Sequence, residues 1–202
     1  MRIATIAMVL ALPCAAASGQ TMPPMGGPMQ HLMIERVGDA LEVHADSTGP
    51  LKLQSYGDTY AAPADVLNGK WFNAQFGWMA EGFWTPPVGA SVWIEVTDQT
   101  PGLETYRAMT FAPIFTTGAS SPRFAWDGRM THNWYAATAP GLYEASYRIY
   151  FGDETTGDPM PGYDGADITL SWELACRADL TGDGSLDFFD FLEFQNRFAT
   201  GD

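Results

Sequence analysis

Cysteine is scarce in this 202-residue chain, occurring only as Cys14 and Cys176. Two cysteines cannot build the disulfide framework of a small secreted scaffold, so a hydrophobic core must hold the fold. Basic residues are also few: 10 Lys and Arg stand against 24 Asp and Glu, for a net charge of −14. That balance leaves no basic footprint for nucleic acid and disfavours anionic membrane surfaces. Beyond the first dozen residues no apolar run is long enough to cross a bilayer, so the mature chain has no transmembrane segment. Helical periodicity is missing between His31 and Leu174, and neither a nucleophile elbow nor a metalloprotease helix motif occurs.

The N-terminus reads as an export signal. Arg2 supplies the positive start, Ile3 to Leu12 an apolar stretch too short to span, and Ala15, Ala16, Ala17, Ser18 and Gly19 the small residues a signal peptidase needs. Residues 1–19 are therefore expected to be removed, leaving Cys176 as the single cysteine of a secreted or surface-attached protein. Residues 20–30 are rich in Pro, Gly and Met and read as a flexible arm.

Residues 31–174 carry the two-residue alternation of half-buried strands. Leu41, Val43 and Ala45 interleave with Glu42 and His44. Val92, Ile94 and Val96 interleave with Trp93 and Glu95. Tyr143 to Phe151 and Ile168 to Trp172 repeat the pattern. Turn residues separate the runs, as in Ser47-Thr48-Gly49-Pro50, Thr85-Pro86-Pro87 and Pro140-Gly141. The fold class this predicts is mainly β, an antiparallel β-sandwich followed by a small loop-helix segment over 176–202.

That segment holds the most specific pattern in the chain. A hard cation such as calcium takes oxygen ligands, and an EF-hand-type loop supplies them from positions 1, 3, 5, 7, 9 and 12, with glycine at 6. Asp179, Thr181, Asp183, Ser185 (through its carbonyl), Asp187 and Asp190 fall on those positions, and Gly184 falls on the sixth. A helix is expected from Phe188 to Phe198, with Phe191, Phe194 and Phe198 forming an apolar stripe. The run Cys176, Asp179, Asp183, Gly184, Asp187, Phe189-Asp190-Phe191-Leu192, Phe194-Gln195-Asn196 resembles the dockerin type I family, in its cysteine-initiated variant. The resemblance covers one loop-helix unit where a dockerin has two. It implies calcium as cofactor, Asp190 as the closing ligand, and a cohesin-like protein or cell-surface anchor as partner.

The three histidines, His31, His44 and His132, all lie in the β region, and together they make a candidate zinc site, although no local spacing joins them. The stretch His132-Asn133-Trp134 through Pro140-Gly141-Leu142-Tyr143 resembles bacterial choice-of-anchor surface domains, which implies a surface-anchored β domain associated with metal. A carbohydrate-active alternative would draw on Glu81, Glu95, Asp98 or Glu104 as acids and on Trp78, Trp84 and Trp93 as platforms for a polysaccharide. Nothing in the sequence pairs two of those carboxylates, so the reading favours a non-catalytic protein. Its tail would serve attachment and its β domain binding or surface structure.

Overall fold

The computed structural model describes residues 22–175, 178, 180–181 and 187–200. The expected leader, residues 1–19, lies outside the described residues, as do both cysteines and Asp179, Asp183 and Ser185 of the acidic loop. In chain order the strands are β1 (Gln30–Val37), β2 (Ala40–Ala45), β3 (Leu51–Lys52), β4 (Trp71–Asn73), β5 (Phe76–Ala80), β6 (Ala90–Gln99) and β7 (Glu104–Tyr106). They continue with β8 (Pro113–Ile114), β9 (Arg123–Trp126), β10 (Thr131–His132), β11 (Trp134–Ala137), β12 (Gly141–Asp153) and β13 (Ala166–Leu174), and helix α1 (Phe188–Thr200) follows. The protein is mainly β with one C-terminal helix, and no helix among the described residues is long and apolar enough to cross a membrane.

The strands form three sheets, ordered β10-β5-β1-β2, β4-β11-β7-β8 and β3-β13-β12-β6-β9. Most pairings are antiparallel, as the alternation predicts, but β1 with β5 and β13 with β3 are parallel, a departure from the all-antiparallel expectation. β1 reaches its parallel neighbour only after the chain has run through β2, β3 and β4, so no hairpin pattern announces the pairing.

The long strands alternate because one face of each is buried. Val92, Ile94 and Val96 of β6 and Tyr143, Ala145, Tyr147, Ile149 and Phe151 of β12 all turn inward. β12 shifts register against β6 between Ser146 and Tyr147. Thr97 is the extra residue of that bulge, and its hydroxyl donates to the Ser146 carbonyl at 3.2 Å. Aromatic contacts join the sheets across one core. Trp78 of β5 meets Tyr147 of β12 edge-on at 5.5 Å between ring centres, and Phe76 meets Trp172 of β13 at 5.4 Å. Tyr135 of β11 lies 4.2 Å from Trp172, drawing the β4-β11-β7-β8 sheet onto the same core. A second cluster, with Phe111 stacked on Trp134, fills the space under residues 60–67.

The Ser47-to-Pro50 turn docks on β13, where the Ser171 backbone N–H donates to the Thr48 carbonyl at 2.8 Å. Gly49 sits there at φ +102°, and a Cβ would fall on the Ser171 carbonyl oxygen. Both the left-handed backbone and the close approach require glycine. Gly49→Ala is expected to cost about 1–3 kcal/mol, read as a lower urea midpoint with unchanged slope.

Candidate functional site

The outer face of the β10-β5-β1-β2 sheet gathers all three histidines. Leu32 and Ile34 of β1 point into the core, so His31, Met33 and Glu35 point out. Cross-strand register carries this face sideways. His31 stands beside Gly77 of β5, and Gly77 stands beside His132 of β10. One step along the strands, Met33 is flanked by Met79 on one side and by His44 of β2 on the other. Directly paired residues share a face.

Each imidazole in the first row is fixed through Nδ1. The Nδ1 of His31 lies 2.8 Å from Asp46 Oδ2, and the His31 backbone N–H donates to the same oxygen at 3.0 Å. These two bonds, the backbone one foremost, hold the Asp46 carboxyl below its ordinary pKa. His132 Nδ1 lies 2.9 Å from the Ala74 carbonyl oxygen. A carbonyl only accepts, so this Nδ1 carries the proton and Nε2 keeps its lone pair. That Nε2 is buried and has no hydrogen-bond partner among the described residues. Burial is the main force lowering the His132 pKa, and the charge of nearby His31 adds to it.

His44 belongs to a different group. Its Nε2 faces Glu42 at 3.7 Å and Glu35 at 3.9 Å. With Glu81, His44 and Glu35 place one ligand atom each within 4.8 Å of one another. The three histidines thus share a face but form no common triad: His31 and His132 flank Gly77, and His44 turns to carboxylates. The sequence reading missed Gly77, although a glycine inside the strand run Phe76-Gly77-Trp78 is the signal of a close approach. It also missed Asp46, Glu35 and Glu81 as companions of the histidines.

The residues named for sugar chemistry are dispersed. Trp78 is wholly buried in the core. The Trp93 indole N–H donates to the Asp153 carbonyl, with the Arg123 guanidinium 5.7 Å from its ring. Trp84 donates to the Glu81 carbonyl and meets Phe151 edge-on. Glu104 pairs with Lys70 and accepts from the Tyr106 hydroxyl, and Glu95 accepts from the Tyr150 hydroxyl at 3.0 Å. Burial works against charge on Lys70, but its bonds to Glu104 and Tyr106 prevail and raise its pKa. Asp98 is exposed. A cavity of about 330 Å³ opens between Arg107, Phe124, Trp126, Arg129 and Asn133, and none of these carboxylates lines it.

In the tail, Asp187 and Asp190 form a reciprocal cap at the start of α1. The Phe189 N–H donates to Asp187 Oδ1 at 2.8 Å, and the Asp187 N–H donates to Asp190 Oδ2 at 2.9 Å. Asp190 Oδ1 reaches the other way, accepting from the Leu180 N–H at 2.8 Å and from the Thr181 N–H and hydroxyl at 3.1 Å. These donors, the Asp187 N–H first among them, hold its carboxyl below the ordinary range. Asp190 is only 4% exposed, the one buried carboxylate among the described residues. Arg197 closes the far side, bonding the Leu180 carbonyl and, one turn back, Glu193. The phenylalanine stripe faces outward, with Phe188, Phe191, Phe194 and Phe198 each more than half exposed.

No family model matches the chain. No curated protein matches it either. The likenesses to dockerins and to choice-of-anchor domains rest on the motif residues alone, and function has to be argued from the geometry.

Proposed function

We propose that this is a secreted or surface-attached, non-catalytic protein whose β-sandwich domain presents a binding face and whose tail binds calcium to dock on a cohesin-like partner or surface anchor. The position of Asp190 carries the reading. Its carboxylate bridges the two ends of the acidic loop, with one oxygen toward Leu180 and Thr181 and the other toward Asp187. A closing ligand at the twelfth position of a calcium loop must stand between those ends. The helix cap alone accounts for the bond to Asp187, but not for the grip on Leu180 and Thr181.

The same arrangement sets a cost. A carboxylate offers roughly four lone-pair directions, and the N–H and hydroxyl donors already occupy them. Calcium would compete for these oxygens, while Asp179, Thr181, Asp183, the Ser185 carbonyl and Asp187 complete the oxygen set. The exposed phenylalanines give the tail an apolar surface of the kind that marks protein contacts. A shared core between facing sheets supports the sandwich description of the β domain.

Thermal melting of the mature chain, followed by helical circular dichroism, tests the reading. Calcium at a hundredfold its Kd is expected to stabilise the tail by about 2.7 kcal/mol, with a chelator reversing the gain. Superimposable melts with calcium and with chelator would sink it.

A further inference from the structure

The row His132–Gly77–His31–Asp46 has the construction of a transition-metal site. Metal-bound imidazoles characteristically donate their second ring N–H to a carboxylate or backbone carbonyl, which fixes the tautomer and aims the free nitrogen. His31 has the first kind of partner in Asp46, and His132 has the second in the Ala74 carbonyl. Both rings therefore keep Nε2 for an ion. Gly77 separates the two histidines and contributes no side chain, and the His132 ring occupies the space where its Cβ would stand. The ring thus lies over Gly77 of β5, the strand between β10 and β1. Its Nε2 is buried without a hydrogen-bond partner among the described residues, an arrangement that is costly for a polar atom. A metal ion is a partner that would remove that cost.

We propose that His31 and His132, positioned by Asp46 and by the Ala74 carbonyl, bind a late first-row transition ion of the zinc or copper(II) class through their Nε2 atoms. Two imidazoles are borderline ligands that suit these ions, whereas calcium prefers oxygen. Met33 and Met79 are paired on the next row of the same face. His44 is not part of the site: it stands one row along, opposite Met33, with its Nε2 facing Glu42 at 3.7 Å and Glu35 at 3.9 Å. The site is separate from the tail loop, and neither proposal depends on the other.

The test is calorimetric titration of Zn²⁺ and Cu²⁺ into the mature chain with calcium present in excess, with folding of every variant checked by near-ultraviolet circular dichroism. One ion per chain is expected. His31→Ala and His132→Ala should each weaken binding by about tenfold or more, Asp46→Ala by about 10–100-fold, and His44→Ala by less than about twofold. Nitrogen NMR of the unmutated chain should show the Nε2 resonances of His31 and His132 shifting together on addition of zinc, a result independent of whether any variant folds. The proposal is overturned if neither ion binds. It is equally overturned if the ion binds but the affinity follows His44→Ala and leaves His31 and His132 unmoved, which would place it at Glu35, His44 and Glu81.

Discussion

Trp172→Ala is expected to destabilise the β domain by about 3–5 kcal/mol, lowering its melting temperature by roughly 10 °C. Trp172 is wholly buried on the central part of β13, where it pairs across the sheet with Tyr143 and, on its other side, with Leu51. Its ring meets Phe76 from the first sheet and Tyr135 from the second. One side chain therefore holds three sheets to one core. Its removal leaves a cavity between facing layers that the strand backbones cannot close, since each is pinned by its own ladder. The effect should appear as a lower urea midpoint with the slope retained. A loss below about 1 kcal/mol would mean that the sheets do not share this core.

The ladder of long strands was legible in the sequence because those strands bury one face only. β2, β6, β12 and β13 all follow the alternation in Leu41–Ala45, Val92–Val96, Tyr143–Phe151 and Ile168–Trp172. The short strands were hidden for the opposite reason. All four residues of β11 are buried, and β5 starts with three buried residues, so neither shows a two-residue period. The β4-β11-β7-β8 sheet is built of short strands throughout. Pairing between distant strands was also invisible, and with it the row that sets His31 beside Gly77 and Gly77 beside His132. The histidines could be named from the sequence, but which of them are neighbours is a matter of register. The helix from Phe188 onward was readable from its phenylalanine spacing. The outward orientation of that stripe was not, because periodicity marks a face without saying what covers it.

For the tail, Asp190 decides between two physical accounts. As a cap residue it needs only to accept N–H bonds, a task asparagine's carbonyl oxygen performs in part. As a calcium ligand it must bring charge. Asp190→Asn should therefore keep much of the helix and lose calcium binding, whereas Asp190→Ala should lose both. The measurement that bears most directly on the proposed function is calorimetric titration of calcium into the chain from residue 20 onward, with Asp183→Ala and Asp190→Asn as controls. The account predicts one saturable site per chain, accompanied by a gain in helical circular dichroism and absent from both variants. No heat and no change in helix in the unmutated chain, or binding that survives both substitutions, would contradict it.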